Sequence, residues 1–184
     1  MKLPAGLTDK GVEFFVDHDK IKATYDGKIV FLSELPEEIL EHIRSYMLTK
    51  PLALKALNEM NIINDMPMIE QFIKCNFGGY DFTPDISTDK EIKSEYWDCG
   101  KRGYCNYEGK LCGGIKVVNG VLSQREIDVI KLISKGKLDK EIADELNISI
   151  STVSSHKQNI QEKTGLQTKT EIAVFAIHKN LISC

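Results

Sequence analysis

Four of the five cysteines in this 184-residue chain, Cys75, Cys99, Cys105 and Cys112, precede residue 114, and the last three share one stretch, WDCGKRGYCNYEGKLC. The intervening segments hold 23, five and six residues. Thiolates are soft ligands for zinc and for iron–sulfur clusters, so clustered thiols in a chain expected to remain in a reducing compartment point to metal before disulfides. Two metal readings stay open. A tetrahedral zinc bound by Cys75, Cys99, Cys105 and Cys112 would staple a segment too rich in Gly and polar residues to build its own core. An iron–sulfur cluster on the same four residues would make the protein responsive to redox state or iron. The Cys-x-x-Cys turn of zinc ribbons is absent, which weakens zinc more than a cluster, and Lys101, Arg102 and Lys110 would favour thiolates. The third reading is free thiols used as small core residues, so the spacing alone fixes no cofactor.

A second constellation lies near the C-terminus. Ser151, Ser154, Ser155, Lys157, Gln158 and Gln161 fall on one side of a helical projection, and Val153 and Ile160 fall on the other. Small hydroxyls, carboxamides and an ammonium on one face suit hydrogen bonding to base edges and phosphates of duplex DNA.

The elements that would hold this face are marked by their caps. Ser123-Gln124-Arg125-Glu126 is a capping box and predicts a helix over 124–134, with Ile127, Ile130 and Ile133 as its stripe and Gly136 past its end. A second helix is expected over 140–146, burying Ile142, Ala143 and Leu146, with Asn147 taking the left-handed turn. After a tight turn, Ser149 caps a third helix near 150–164, whose inward side carries Val153, His156 and Ile160 and which Gly165 closes. Thr168-Lys169-Thr170-Glu171 repeats the box and opens a fourth helix running to about residue 180.

The order and spacing of these residues resemble the LuxR-type (GerE-like) helix-turn-helix domain of bacterial transcription regulators over about residues 121–181. The resemblance rests on LSQRE from Leu122, Gly136, KEIA from Lys140, Ile148-Ser149, Thr152-Val153, His156, Asn159-Ile160, Lys163 and Gly165-Leu166. Region 4 of sigma factors is the runner-up; His156, Asn159-Ile160 and the ending from Lys163 to Leu166 side with the LuxR type. Leu138 departs from the family, which usually has Ser or Thr there, and Asp139 is expected to take over as the cap. The resemblance implies that the third helix enters the major groove, with Ser154, Ser155 and Gln158 contacting bases and Lys140, Ser151, Thr152, Lys157 and Lys163 contacting phosphates. The fourth helix has two apolar stripes: Ile172, Ala173, Ala176 and Ile177, and a second of Val174, Phe175, His178 and Leu181. In the family this helix forms the dimer contact, so Val174, Phe175, His178 and Leu181 are expected at a homodimer interface on DNA.

The remainder reads differently. Three β-rich runs, 12–16, 21–25 and 28–32, joined by polar turns at 17–20 and Asp26-Gly27, predict a β-meander. Helices are expected after Pro36, with Ile39, Leu40 and Ile43 as a stripe, and over 52–60 and 66–74. That is not the alternating βαβα order of a phosphoacceptor receiver, and Asp17 and Asp19 fall in a hairpin turn. The sequence therefore predicts an α+β domain of unassigned fold over 1–114 and an all-α four-helix LuxR-type helix-turn-helix domain over 115–184, with a flexible connection between Gly113-Gly114 and Asn119-Gly120.

Hydrophobic residues at 42% and charged residues at 28% are ordinary for a globular protein, and the net charge is -3. Residues 117–184 hold nine Lys or Arg against eight Asp or Glu, so the acidity lies upstream and non-specific DNA affinity should be modest. The opening MKLPAGLTDK lacks a secretory core and no apolar run is long enough to cross a bilayer, so a cytoplasmic location without a membrane partner is expected. Glu13, Asp17, His18 and Asp19 are neighbours in sequence, but no nucleotide loop or nucleophile–base pair accompanies them, and no enzyme is expected. The reading is a transcription regulator of double-stranded DNA with an N-terminal sensory or interaction domain. The alternatives are an interaction module contacting RNA polymerase or another regulator, and a metal- or redox-responsive regulator using the cysteines.

Overall fold

The structure, a computed structural model, describes residues 4–179 and 181–182. It divides into two compact units, Met1–Gly113 and Gly114–Cys184.

The first unit opens with an antiparallel meander, β1 (Glu13–Asp17), β2 (Lys20–Tyr25) and β3 (Lys28–Phe31), in spatial order β1-β2-β3. The β1–β2 turn consists of His18 and Asp19, both left-handed at φ 48° and 64°, which matches the twist of the flanking strands. Asp26-Gly27 does the same for β2–β3, at φ 49° and 75°. Cross-strand partners Phe14 and Ala23 are fully buried on one sheet face. Against that face pack α1 (Glu37–Leu48), α2 (Pro51–Glu59) and α3 (Asp65–Asn76), which contribute Ile43, Leu57, Ile69 and Ile73. Phe77 closes the core, 6.1 Å from Phe14 and 6.0 Å from Phe72 between ring centroids. From residue 78 to 115 the chain has no helix and no strand longer than an isolated bridge. The bridge between Val12 and Ile86 ties this long segment to the start of the sheet.

The second unit begins with a small hairpin, β4 (Lys116–Val117) and β5 (Gly120–Val121), followed by α4 (Gln124–Ser134), α5 (Asp139–Leu146), α6 (Ile150–Thr164) and α7 (Lys169–His178). Caps set these boundaries. The Ser123 hydroxyl accepts from the Glu126 amide at 3.3 Å, and the Glu126 carboxylate accepts from the Ser123 amide at 2.7 Å. Thr168 and Glu171 repeat the exchange at 3.2 and 2.8 Å. Asn147 is left-handed at φ 54° and closes α5, and Gly165 at φ 76° closes α6. Ile127, Ile130, Ile142, Val153 and Ile160 form the buried centre.

Three expectations are corrected. Residues 115–121 are not a loose connection: the Asn119 amide donates to the Lys163 carbonyl at 2.9 Å and its carboxamide to the Glu162 carbonyl at 2.8 Å, so the hairpin turn caps the end of α6. Asp139 does not cap α5; Leu138 occupies the cap position, its amide satisfied by Glu141 at 2.7 Å, and Asp139 begins the helix. Leu181, expected at the partner face, is buried at 7% exposure, and its amide donates to the Ala176 carbonyl.

Candidate nucleic-acid interface and thiol nest

Helix α6 is the element that positions the candidate reading residues, and its two faces differ in chemistry. Val153 and Ile160 are fully buried against α4 and α5, which fixes the helix roll and turns Ser151, Ser154, Ser155 and Gln158 to solvent. The Ser154 and Ser155 hydroxyls rest on carbonyls one turn back, Ile150 at 3.2 Å and Ser151 at 3.1 Å. The Gln158 carboxamide nitrogen donates to Glu162 at 2.9 Å on the same exposed face. These are local bonds that a base edge can replace at little cost, so the face is polar, uncluttered and available.

At its N-terminus, the Ser149 hydroxyl accepts from the Thr152 amide at 3.1 Å and lies 2.7 and 2.8 Å from the hydroxyls of Ser151 and Thr152. A knot of hydroxyls at the positive end of a 15-residue helix suits a phosphate oxygen. Lys140 is exposed on α5. Lys157 reaches Asp139 through both carboxylate oxygens, at 2.9 and 3.0 Å, so its charge is available to phosphate only in competition with that carboxylate.

Lys163 is placed otherwise than expected. Its ammonium is drawn inward to both Glu126 oxygens, at 2.8 and 2.9 Å, and to the Val121 carbonyl at 3.1 Å. Burial pushes the Glu126 carboxyl up, but Lys163 and the Ser123 amide more than offset it and hold the group below its ordinary value. Lys163 thus ties the start of α4 to the end of α6.

On α7, Ile172 and Ala176 are buried, Ala173 and Phe175 are half-buried, and Val174, Ile177 and His178 are exposed. Ile177 therefore joins the outward face with Val174, Phe175 and His178, contrary to its predicted stripe.

In the first unit, the four cysteines separated in sequence are gathered by four tertiary hydrogen bonds. The Trp97 indole donates to the Lys74 carbonyl at 2.9 Å, setting residues 97–99 against the end of α3, where Cys75 lies. The Asn76 carboxamide donates to the Leu111 carbonyl at 3.0 Å, bringing Cys112 to the same place. Arg102, with only 3% of its side chain exposed, donates to the carbonyls of Trp97 and Gly113 at 3.2 and 3.1 Å and folds the intervening loop over. Its guanidinium also stacks on Tyr96 at 4.4 Å. Cys112 is buried; Cys75, Cys99 and Cys105 are partly so. Burial pushes the Cys75 thiol up to about 11, the Gln71 carboxamide donating at 3.2 Å opposes this, and the thiols of Cys112, Cys99 and Cys105 add to the rise. Burial also raises Cys112, against the pull of Arg102 and an amide hydrogen bond from Gly109. Among the described residues, no three His, Cys, Asp or Glu side chains are grouped to hold a single metal ion.

Sequence reasoning missed a nest of acids beside the sheet. Glu13 and Asp85 are buried, and the Phe14 amide donates to Asp85 at 2.8 Å, the Asp81 amide to Glu13 at 2.9 Å and the Gly79 amide to Glu95 at 2.7 Å. Burial, reinforced by mutual repulsion, pushes Glu13 up to about 8, Glu95 to about 7 and Asp85 well above its ordinary range. His18 is exposed just past the far end of β1 from Glu13 and pairs with Asp17 at 2.7 Å, whereas Glu13 accepts from the Asp81 amide. No alternation rule marks an acid as buried; only the neighbouring amides reveal it.

Comparison with known proteins bears on the second unit. The GerE profile, "Bacterial regulatory proteins, luxR family", matches residues 120–176. The protein "Oxygen regulatory protein NreC" of Staphylococcus aureus, in strains JH9, JH1 and USA300, is 44% identical over 62 residues, which are 34% of this chain and 29% of the relative. The chain thus spans less than a third of the length of these curated relatives. No solved structure matches it.

Proposed function

Since residues 120–176 are a LuxR-type helix-turn-helix domain, we propose that this protein binds double-stranded DNA sequence-specifically and regulates transcription. The observation that carries the reading is the polar, solvent-facing side of α6, on which Ser154, Ser155 and Gln158 stand clear while Val153 and Ile160 anchor the helix. In this reading α6 lies in the major groove. Gln158 exchanges its bond to Glu162 for a bidentate contact with adenine, and Ser154 and Ser155 supply contacts that tolerate several bases. Lys140, Ser151, Thr152, Lys157 and the amides at the start of α6 hold phosphate and set register. Lys163 is left out because it is engaged with Glu126.

The outward face of α7, Val174, Phe175, Ile177 and His178, is the surface we assign to a second copy, so that two α6 helices read half-sites about one helical turn apart. The four helices α4–α7 then form the reader, and the first unit is a sensory or interaction domain with which RNA polymerase contact is compatible. We assign it no catalysis and a cytoplasmic setting; among the described residues no helix is long and apolar enough to cross a membrane. The oxygen response in the name of the staphylococcal relative is not carried over, since the shared segment is the reader alone.

Binding to random duplex DNA, titrated against salt and followed by selection of bound sequences from a random pool, tests this. A steep salt dependence with an enriched motif supports it. Absence of salt-dependent binding overturns it in favour of a protein-interaction module.

A further inference from the structure

We propose that Ile150, the first residue of α6, reads the 5-methyl group of a thymine in the target site. The inference rests on the DNA-binding reading of α6 and names a base that the reader selects.

Position comes first. Four residues advance a helix by about 40° in projection, so Ile150, Ser154 and Gln158 follow one another along one stripe of α6. Ser154 and Gln158 are exposed, and Ile150 carries the stripe to the helix start with 51% of its surface open to solvent. The Ser154 hydroxyl donates to the Ile150 carbonyl at 3.2 Å, which ties the two residues together one turn apart. The inward side is filled by other residues: Val153 and Ile160 are fully buried, and Ile148 in the preceding turn is half-buried.

The residue type is a second observation. The first turn of a helix favours Pro, Asp or Glu, and a β-branched side chain there supplies neither a cap nor a gain in propensity. Ser149 provides the cap, accepting from the Thr152 amide at 3.1 Å. Ile150 thus sets apolar surface beside the polar reading face of Ser151, Ser154, Ser155 and Gln158. Hydrogen-bonding base edges gain nothing from such a neighbour. In the major groove the apolar mark that a base presents is the 5-methyl of thymine.

Reach agrees with this pairing. The amides that open α6 are the ones assigned to phosphate, so this end of the helix is held beside a backbone. Thymine projects its methyl into the groove on the side of its own strand's backbone, where a side chain next to the phosphate contact meets it. From Ile150 to Gln158 the helix rises about 12 Å, which is at most three to four base-pair steps of about 3.4 Å. The thymine is therefore expected within about four base pairs of the adenine that Gln158 contacts.

The test uses the full chain and the sequence it enriches from a random duplex pool. Each thymine of that sequence is replaced in turn by deoxyuridine, which keeps the pairing and the hydrogen-bonding edge and lacks only the methyl. One replacement in the expected range should weaken binding about fourfold per half-site, the effect of one buried methylene. In Ile150→Ala the same replacement should have no effect, with helical circular dichroism and salt slope unchanged, and Ile150→Val should restore the discrimination. Equal affinity for thymine and deoxyuridine at every position, an enriched sequence without thymine in that range, or an undiminished thymine preference in Ile150→Ala each overturns the inference and leaves the DNA-binding reading standing. Absence of both salt-dependent binding and an enriched sequence overturns that reading, and this inference with it.

Discussion

Replacing Lys163 by Met separates a fold-locking lysine from a phosphate-binding one. The Glu126 side chain is 3% exposed and that of Lys163 is 31% exposed, so removing the ammonium strands a nearly buried carboxylate. Breaking a fully buried pair costs about 3–5 kcal/mol, whereas exposed pairs contribute about 0.2–1 kcal/mol. One-third exposure of the lysine and the surviving bond from the Ser123 amide place this pair between, at about 2 kcal/mol. For a unit this small, that lowers the melting temperature by roughly 8–16 °C. The single tryptophan, Trp97, lies in the first unit, so helical circular dichroism should show the shift while tryptophan fluorescence does not. Adding Glu126→Gln, which keeps the cap but removes the charge, should restore most of the loss. Below saturation of unfolding, DNA affinity and its salt slope should stay close to those of the parent. A Lys163→Met protein with unaltered melting and a salt slope smaller by about one would refute the reasoning and return Lys163 to the phosphates. The pair's contribution is also pH-dependent: Glu126 is held below its ordinary value, so the stabilisation is present at neutral pH and is lost in acid, as pH falls from the ordinary carboxylate value through the depressed one.

Gln158→Ala should relax preference at one base pair by about 1–3 kcal/mol in sequence selection, with other positions unchanged. Lys157→Ala should weaken all sequences alike and flatten the salt slope by about one, and Asp139→Asn, which releases Lys157 from its carboxylate, should raise non-specific affinity. The buried acids give the first unit an opposite pH response. Glu13 and Glu95 titrate near 8 and 7 when folded against an ordinary value of 4.5, so the folded unit holds extra protons and loses stability as pH rises from about 4.5 to about 8. Urea unfolding followed by Trp97 fluorescence should show a lower midpoint at about pH 8.5 than at about pH 6, with a smaller difference in Glu13→Gln; equal midpoints in the parent would refute the burial argument. Val174→Glu on α7 should abolish DNA-dependent dimers in sedimentation while leaving helical content intact, because that side chain is 47% exposed and touches no essential core.

Local signals in the chain were enough for the boundaries of the reader and the meander. Ser123 with Glu126, Thr168 with Glu171, Ser149, Asn147 and Gly165 act within a turn or two of themselves, so their effect is written in adjacent residues, and Asp26-Gly27 determines a hairpin for the same reason. The outward placement of Ser154 and Gln158 followed too, since helical periodicity sets the face opposite Val153 and Ile160. What a side chain meets across the fold is a different matter. Lys163 had the sequence context of a phosphate ligand, yet a buried carboxylate from another helix is a stronger local partner than solvent. Leu181 shared a stripe with Val174 by periodicity, yet it is buried while Val174 is exposed. Asn119-Gly120, a linker by composition, became the cap of a distant helix end. Four cysteines and three acids came together only when Trp97, Asn76, Arg102 and the amides of Phe14, Gly79 and Asp81 drew remote segments together. Short-range geometry is encoded by neighbours, and long-range electrostatics and burial exist only once loop closure has been completed.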